Sequence, residues 1–455
     1  MAIGVARKIA FEVLRRVEEE GAYASDLLHA ELGGAVKAED AGLATELVLG
    51  VLRWRRLLDF LLERQLRKPV GRLDMAVALA LRIGLYQLRF LQRVPARAAV
   101  NESVELVKRA RKTSAATLVN AVLRKAAGEA GTAAADILPA GISGADRLGI
   151  LHSHPTWMVE RWLARFGEAR AIGLLEADNR APRLSCAVQD LGRREEIFES
   201  LRAAGLRIEA GEILRSAFAV SGGSVTRTAA FREGAISIQD EASQVVPLLL
   251  GVRVGERVLD MCAAPGGKTA ALARAAGDGL VVAADRHAHR VRGMREQFKR
   301  LGLGAVRLVE LDAVGALPFG VAFDRILVDA PCSGTGTLSR HPEIRWRLKS
   351  EVLAEFHALH VALLRSGLER LASGGRLVYS TCSLEAEENE LVVEEVSRLV
   401  AGLRRVPVRE LTSALDGKLV AGVEARGLFD AEGRFRTLPG ERDADGFFAV
   451  GLTRD

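Results

Sequence analysis

Apolar residues recur at three- and four-residue intervals through roughly residues 1–130. This spacing places them along one face of successive α-helices. The clearest runs cover residues 9–17, 47–58 and 77–88. Short loop signals separate the runs, so neighbouring helices are expected to pack antiparallel. Residues 1–140 are therefore predicted to form an all-α domain of six or seven helices.

The pattern becomes mixed between residues 150 and 235. A stretch rich in alanine and glycine, roughly residues 128–144, precedes this section and reads as a linker. Residues 157–166 have helical periodicity, whereas residues 184–188 and 218–220 look extended. These features predict a small α+β domain over residues 150–235.

From residue 236 onwards, short runs of β-branched and apolar residues alternate with helical segments. The candidate strands are residues 257–260, 280–284, 306–309, 324–328 and 376–380. This alternation predicts a parallel, doubly wound, Rossmann-like α/β sheet over residues 236–455. In such a sheet, ligands bind beyond the carboxyl ends of the strands, where the strand order reverses.

The 455-residue chain carries a formal net charge of +6, and the basic excess lies near its beginning. Residues 1–130 hold 22 Lys and Arg against 15 Asp and Glu, and residues 52–112 hold 15 against 5. A surplus concentrated in this way favours a polyanionic partner such as nucleic acid. A solvated basic face explains the same charge equally well.

The cysteine content and the apolar stretches bear on the compartment. Four cysteines are too few for a disulfide framework in a chain of this length, which fits a reducing cytosol. Residues 1–16 alternate apolar and charged positions and lack a secretory-signal pattern. The most apolar stretch, residues 75–91, is interrupted by Arg82 and Arg89 and does not reach the ~18 apolar residues of a membrane span. A cytoplasmic protein that does not associate with membranes is expected.

The first candidate strand runs into a loop with two adjacent glycines, Asp260-Met261-Cys262-Ala263-Ala264-Pro265-Gly266-Gly267-Lys268-Thr269. Adjacent glycines let a ligand approach the backbone closely, and the helix start that follows offers free N–H groups. A Walker A loop requires glycine where Cys262 stands, and the Gly-x-Gly-x-x-Gly dinucleotide fingerprint is also absent. Both phosphate-binding signatures therefore fail.

An acid follows each of the next two candidate strands. Asp285 lies 25 residues after Asp260, a position from which a carboxylate accepts hydrogen bonds from both hydroxyls of a ribose. Asp312 is placed to reach an adenine edge. A nucleoside-binding layout without a phosphate signature fits S-adenosylmethionine better than ATP or NAD. The residues predicted to bind this cofactor are Cys262, Ala263, Ala264, Pro265, Gly266, Gly267, Lys268, Asp285, Asp312 and Asp329.

Two cysteines directly follow candidate strands, at the rim where substrate is expected. Cys332 lies in Asp329-Ala330-Pro331-Cys332-Ser333-Gly334-Thr335-Gly336, and Cys382 lies in Tyr379-Ser380-Thr381-Cys382-Ser383. Metal-ligand spacing is absent around them, so no zinc site is expected. We interpret Cys332 and Cys382 as nucleophilic thiols. The alternative is a buried structural thiol, which is the expected role of Cys186 and an interpretation that also applies to Cys262. A helix is predicted to begin just after Cys382, at about Glu385, with the acids Glu387 and Glu388 near its start.

These three loops closely resemble the signature motifs of the RNA cytosine-5 methyltransferases. Residues 238–244, 340–346 and 445–448 are also similar to that family. The N-terminal domain resembles the NusB-like RNA-binding domain at residues 81–88, 98–102 and 119–124. This pairing of domains is typical of the RsmB (Fmu) type of 16S ribosomal RNA methyltransferase.

The resemblance implies an S-adenosylmethionine-dependent enzyme that forms 5-methylcytosine in 16S ribosomal RNA. It makes Cys382 the nucleophile that adds to C6 of cytosine, and it makes Cys332 the thiol that assists release of the product. Asp329 would stand between cofactor and base. The implied substrate is free RNA or an early assembly intermediate, and the implied enzyme is a monomer without a metal. DNA cytosine-5 methyltransferases use the Pro-Cys thiol as nucleophile, so the presence of both thiols favours RNA.

Two other functions remain compatible with the same residues. The first is cytosine-5 methylation of transfer RNA by the same chemistry. The second is an RNA-binding assembly or antitermination factor with a vestigial methyltransferase domain, against which the intact Cys332 and Cys382 argue. A nucleotide-hydrolysing enzyme is disfavoured by the missing Walker glycine.

Overall fold

The computed structural model describes residues 3–33, 36–142 and 144–454. Contacts divide the chain into two compact units. Unit 1 comprises Met1–Ala181 and Leu338–Leu348, and unit 2 comprises Pro182–Thr337 and Lys349–Asp455. In the described part of the chain, no helix is long and apolar enough to cross a membrane. The predicted boundaries of three domains remain a prediction.

Unit 1 is built from helices, as the periodicity of its apolar residues predicts. They are α1 (Val5–Glu20), α2 (Ala24–Leu32), α3 (Ala38–Arg53), α4 (Arg55–Leu66), α5 (Met75–Phe90), α6 (Ala96–Arg109), α7 (Ala116–Gly128), α8 (Ala134–Ile137), α9 (Gly144–Leu151), α10 (Thr156–Phe166), α11 (Glu168–Ala177) and α17 (Ile344–Arg347). The apolar face of α5 supplies Leu81 and Ile83, which are fully buried with Leu14 of α1 and Leu123 of α7 in one core. The all-α prediction for the N-terminal part of the chain is confirmed.

The segment Leu338–Leu348 belongs to unit 1, although the chain on either side of it belongs to unit 2. Its Arg345 side chain is fully buried. The guanidinium donates hydrogen bonds of 3.0–3.3 Å to the side-chain oxygen of Asn179 and to the backbone carbonyls of Arg53, Ser153 and Asp178. Burial lowers the pKa of Arg345 to about 10, so the group stays charged at neutral pH. One buried cation therefore joins four acceptors that are distant in sequence.

Replacing Arg345 by methionine is expected to lower the free energy of unfolding of unit 1 by about 3 kcal/mol, because three buried carbonyls and the half-buried side chain of Asn179 lose their donor together. Urea unfolding of the full chain, followed by helical circular dichroism, measures this loss. Arg347→Met is the matched control, since that guanidinium bonds backbone carbonyls such as Gly21 O from a partly exposed position. Equal losses for the two variants would contradict a special role for Arg345.

Unit 2 begins with a four-stranded sheet in the order β2-β3-β1-β4. Its elements are β1 (Leu184–Val188), α12 (Arg194–Ala203), β2 (Arg207–Ala210), β3 (Ala217–Ser221), α13 (Ala229–Arg232) and β4 (Ile236–Ile238). The α+β prediction holds, but β2 and β4 were not predicted, because β2 is largely exposed and β4 has only three residues. Cys186 on β1 is completely buried in the core of this sheet, and burial raises its pKa to about 12.

The larger sheet of unit 2 has the order β10-β12-β9-β8-β5-β6-β7, with β11 beside β12. Its strands are β5 (Val258–Asp260), β6 (Val281–Asp285), β7 (Arg307–Glu310), β8 (Phe323–Asp329), β9 (Leu371–Thr381), β10 (Leu403–Arg405), β11 (Phe435–Thr437) and β12 (Phe447–Arg454). The helices are α14 (Glu241–Leu248), α15 (Gly267–Ala276), α16 (Ala288–Arg300), α18 (Val352–Glu369), α19 (Glu390–Leu399) and α20 (Val408–Ser413).

The five predicted strands correspond to β5–β9, which pair in parallel. The Rossmann-like prediction is therefore confirmed for this part of the sheet. Strand β12 pairs antiparallel with β9 and also carries β10 and β11. An antiparallel strand needs no crossover helix, so β12 lacks the strand–helix alternation that identified the other strands.

Candidate active site

The strand order of the larger sheet reverses between β5 and β8. Strands β6 and β7 lie on one side of β5, and β8 and β9 lie on the other. Asp260 ends β5 and Asp329 ends β8, so both carboxylates reach the same edge of the sheet. This reversal point is where α/β sheets bind their ligands.

The structure brings Cys332 and Cys382 together at this edge. Their Sγ atoms lie 3.2 Å apart, although 50 residues separate them in sequence. Parallel pairing sets Asp329 of β8 opposite Ser380 of β9, so the loops that carry the two thiols leave the sheet side by side. The hydrogen bond to Cys382, together with burial, raises the pKa of Cys332 well above its ordinary value. The raised pKa favours the protonated form of Cys332, and the two thiols lie within hydrogen-bond distance of each other.

One buried carboxylate, that of Glu388, joins the two cysteine loops. Glu388 is completely buried. It accepts hydrogen bonds from the backbone N–H of Ser333 at 2.7 Å, from the Ser333 hydroxyl at 2.5 Å and from the Ser383 hydroxyl. Ser333 follows Cys332 and Ser383 follows Cys382. A single carboxylate therefore fixes the positions of the two thiols relative to each other. Burial raises the pKa of Glu388, and the hydrogen bonds from Ser333 and Ser383 oppose that rise.

The sequence predicts a helix start at about Glu385, with Glu388 as one of the acids near it, and this predicted helix start is wrong. A single 3₁₀ turn spans Ala386–Glu388, and α19 begins at Glu390. The residues next to Cys382 are held by the side chain of Asn389 and not by a helix N-terminus. The Oδ1 atom of Asn389 accepts a hydrogen bond from the Thr381 hydroxyl at 2.5 Å, and its Nδ2 atom donates to the Ser383 carbonyl at 2.8 Å. The residues on both sides of Cys382 are therefore hydrogen-bonded to the same side-chain amide, that of Asn389.

Close backbone packing fixes the Cys382 loop from a third direction. The Gly336 N–H donates to the Cys382 carbonyl at 2.9 Å, and the Gly446 N–H donates to the Gly336 carbonyl at 2.8 Å. A Cβ at Gly336 would lie 2.2 Å from the Gly446 carbonyl oxygen, so only glycine fits there. This contact gives a structural reason for two motif glycines that carry no chemistry of their own.

Asp329 is held beside a cation. Lys268 Nζ lies 2.8 Å from Asp329 Oδ2, and the Ser380 hydroxyl donates to Asp329 Oδ1 at 2.7 Å. The ammonium group also lies 5.1 Å from the centre of the Phe447 ring. Burial opposes the charge of Lys268, but the charge and hydrogen bond of Asp329 outweigh burial and raise the Lys268 pKa. Lys268 therefore stays protonated and fixes the orientation of the carboxylate.

A cavity of about 390 Å³ opens beside these groups, within the size range of small-molecule sites. The predicted site residues in its wall are Cys262, Ala264, Asp285, Asp312, Asp329, Cys332 and Cys382. A smaller cavity of about 210 Å³ shares part of this wall. Its predicted site residues are Cys262, Ala263, Ala264, Pro265, Gly267, Lys268 and Asp329. The structure therefore gathers nearly all of the predicted site residues around two adjoining spaces.

Gly266 and Asp260 fix the backbone of the loop of residues 260–269, which we call the cofactor loop after its predicted ligand. Gly266 lies in neither cavity wall; its φ is +101°, and a Cβ there would meet Phe298 at 2.8 Å. Asp260 accepts a hydrogen bond from the Thr269 hydroxyl at 2.7 Å, which joins the end of β5 to α15. Burial raises the pKa of Asp260 to about 7. Asp260 lines only the smaller cavity.

Several residues in the wall of the larger cavity were not predicted from the sequence. Arg286 and His287 follow Asp285 at the end of β6, so their position after a strand is a signal that could have found them. Phe356 and Leu359 come from the face of α18, whose apolar spacing does not distinguish a cavity wall from a core. Within the described ranges, no group of three or more His, Cys, Asp or Glu residues is placed to hold a metal ion.

Comparison with known proteins gives three family matches along the chain. Residues 5–128 match the NusB family, and residues 154–225 match the ferredoxin-like domain of RsmF/B-like methyltransferases. Residues 247–453, which carry both cysteine loops and the cofactor loop, match the 16S rRNA methyltransferase RsmB/F family. The matched ranges follow the order of the helical, mixed and α/β parts of the chain.

Individual relatives are similar in sequence to this chain over nearly its full length. The probable ribosomal RNA small subunit methyltransferase B of Bacillus subtilis (strain 168) is 33% identical over 453 residues, covering 98% of each chain. The protein of the same description from Synechocystis is 34% identical and covers 99% of each chain. A solved methyltransferase homolog from Pyrococcus horikoshii is 30% identical, covers 69% of this chain and 100% of its own, and superposes with a TM-score of 0.57. With this identity over the whole chain, and with the motifs gathered at one edge of the sheet, the chain belongs to the family of ribosomal RNA small subunit methyltransferases B.

Proposed function

We propose that this ribosomal RNA methyltransferase forms 5-methylcytosine in 16S ribosomal RNA, with S-adenosylmethionine as donor and a covalent bond between Cys382 and C6 of cytosine as intermediate. The observation that carries the proposal is the pair of thiols, 3.2 Å apart, in the wall of a cavity that also holds Asp285 and Asp312. C5 of cytosine is too weak a nucleophile to accept a methyl group unaided, so a thiol that adds to C6 is required. The enzyme acts as a monomer in the cytoplasm, on free RNA or an early assembly intermediate.

The residues of the larger cavity fit S-adenosylmethionine. Asp285 ends β6, and its side chain also accepts a hydrogen bond from the His287 N–H at 2.9 Å, so its position is fixed for a ribose. Asp312 and the apolar side chains of Leu311 and Phe356 are the groups available to an adenine. When bound, the cofactor supplies an electrophilic methyl group. The three carboxylates of the wall, those of Asp285, Asp312 and Asp329, suit a positively charged sulfonium.

The chain's own residues account for the other steps. Cys382 adds to C6 as its thiolate, which makes C5 nucleophilic. Once C5 carries the methyl group, loss of the C5 proton to a base breaks the bond between C6 and Cys382. Cys332 remains protonated and donates a hydrogen bond to the departing sulfur. Asp329, held by Lys268 where the two cavities meet, is available to orient the base or the cofactor.

The basic surplus near the start of the chain divides into structural and exposed cations. Arg82 is buried and makes two hydrogen bonds of 2.7 and 2.8 Å to Asp59, and Arg89 donates to the Thr132 carbonyl. The exposed cations of the same stretch include Arg67, Lys68, Arg72, Arg93, Arg97, Arg109 and Arg111. In this proposal the exposed cations hold the RNA through phosphate contacts, which position it without reading its sequence.

The proposal is tested with S-adenosylmethionine that carries a labelled methyl group. Wild-type protein is incubated with transcripts of 16S ribosomal RNA and of transfer RNA, and the RNA is digested to nucleosides. Label is expected in 5-methylcytidine from the ribosomal transcript alone. Label in the transfer RNA instead would favour the alternative substrate. Failure to bind S-adenosylmethionine in calorimetry, with no methyl transfer to either RNA, would favour a binding protein with a vestigial site.

Asp285→Ala is expected to weaken S-adenosylmethionine binding by about 10- to 100-fold, because the variant loses hydrogen bonds to a charged acceptor. Isothermal titration of the full-length protein measures the change in Kd. Asp278→Ala is the matched control, since it removes an exposed aspartate from the loop before β6. An unchanged Kd in Asp285→Ala would remove this residue from the cofactor site.

A further inference from the structure

The exposed face of α16 in unit 2 carries an unusual density of positive charge. Its buried residues are Val291, Met294 and Phe298, which pack toward the sheet. The exposed ionisable residues are His289, Arg290, Arg292, Arg295, Glu296 and Lys299. Arg286 precedes the helix and Arg307 lies on the neighbouring edge strand β7; both are exposed. We call Arg286, Arg290, Arg292, Arg295, Lys299 and Arg307 together the α16 basic face.

Among the residues that the structure describes, none of these six cations has a carboxylate partner, whereas several exposed cations elsewhere in the chain do. Elsewhere, Arg16 pairs with Glu20 at 3.0 Å, Lys108 with Glu105 at 2.7 Å, and Arg193 with Glu196 at 2.6 Å. Within the described part of the chain, none of the cations of the α16 basic face lies within salt-bridge distance of an acid. Solvated helix faces usually alternate charge sign, so an uncompensated row needs another explanation.

Helix stability explains the end of the row but not its beginning, because the helix dipole favours Lys299 in the last turn. The first turn of α16 contains Arg290 and no acidic residue. Positive charge at a helix N-terminus is opposed by the helix dipole, which favours anions there. A partner that is itself an anion would remove this cost.

The positions of the cations define a path. Arg292, Arg295 and Lys299 follow one another at i, i+3 and i+7, so they share a flank about 10 Å long. Arg295, Lys299 and Arg307 line a groove of about 440 Å³. At the other end, Arg286 and Arg290 line the cavity that contains Cys332 and Cys382. The α16 basic face therefore runs from the catalytic cavity to the edge of the sheet.

From this arrangement we infer that the α16 basic face binds the phosphate backbone of the RNA strand beside the target cytosine. The inference rests on the proposed function and adds a second RNA contact, on the catalytic unit, to the contacts of the N-terminal domain. Guanidinium groups suit phosphate because their donors match its oxygens in pairs. Among the described residues that line the groove, Phe298 alone is aromatic and it is buried, so these residues offer bases no exposed ring on which to stack. The contact holds the strand without reading its sequence.

The triple variant Arg292→Gln, Arg295→Gln, Lys299→Gln tests the inference. We expect the Kd for 16S ribosomal RNA transcript to rise by roughly tenfold, and the slope of log Kd against log salt to fall by about 2, because three phosphate contacts are lost. The KM for RNA should rise, with kcat at saturating RNA and the Kd for S-adenosylmethionine unchanged. The unchanged cofactor Kd shows that the variant is folded.

The matched control removes the same charge from the same unit. Arg193, Arg194 and Arg202 lie on or next to α12, where Arg193 and Arg194 pair with neighbouring glutamates. Their triple replacement by glutamine should leave the salt slope close to wild type. Equal slopes for both triple variants and the wild type would overturn the inference. Failure of wild-type protein to methylate the RNA would instead overturn the proposed function, because the salt slopes are measured by binding alone.

Discussion

Cys332→Ala is expected to accumulate a covalent protein–RNA adduct, and Cys382→Ala is expected to lose both the adduct and methyl transfer. The geometry gives the reason. In the proposed mechanism Cys382 forms the bond to C6, and the protonated Cys332, with its Sγ 3.2 Å away, stabilises the sulfur that leaves. Without Cys332 the adduct forms but breaks down slowly. Without Cys382 methyl transfer should fall by at least about 10³-fold, as for the loss of other covalent nucleophiles.

Denaturing gels of each variant with 16S ribosomal RNA transcript and S-adenosylmethionine reveal the adduct. The double variant should form none. Cys186→Ala is the matched control, because that thiol is buried in the small sheet and does not line the cavity that contains Cys332 and Cys382. An adduct that appears in Cys382→Ala and depends on Cys332 would show that Cys332 is the nucleophile and that Cys382 assists release of the product.

Glu388→Ala is expected to lower kcat by about 10- to 100-fold while leaving the KM for S-adenosylmethionine nearly unchanged. The variant leaves the Ser333 N–H and two hydroxyls without their buried acceptor, so both cysteine loops lose their common anchor. A displacement of the reacting sulfur by about 1 Å is enough for a loss of this size. Unfolding should also become easier by about 2 kcal/mol, because buried donors are left unpaired.

Steady-state kinetics and urea unfolding of the full-length protein measure both effects. Glu388→Gln keeps one oxygen acceptor for the Ser333 N–H and should restore part of kcat. Glu394→Ala, which removes an exposed acid from the following helix, is the control for charge. If Glu388→Ala lowers stability but leaves kcat and adduct formation at wild-type levels, Glu388 does not position the thiols.

The sequence predicted those parts of the site that lie in continuous motifs. The cofactor loop, Asp285 and both cysteines were found because each directly follows a strand of a parallel sheet. The same rule predicted that their loops would meet at one edge. It did not predict that Cys332 and Cys382 would lie in contact, since that depends on the register between β8 and β9.

The features that were not predicted depend on contacts between distant residues. Glu388 looked like one acid among several, and only the fold shows that it accepts hydrogen bonds from both cysteine loops. Arg345 lies in a motif shared with the family, but its role depends on carbonyl groups more than 160 residues away. Strand β12 was missed because antiparallel pairing leaves no helical signal before it.

Release of tritium from RNA labelled at C5 of cytosine tests the central claim most directly. Methyl transfer to C5 must replace the hydrogen there, so wild-type protein with S-adenosylmethionine should release tritium into water in equal molar amount to the methyl groups transferred. Cys382→Ala should release none. Methyl transfer to the same RNA without release of tritium would place the methyl group on another atom and contradict the account.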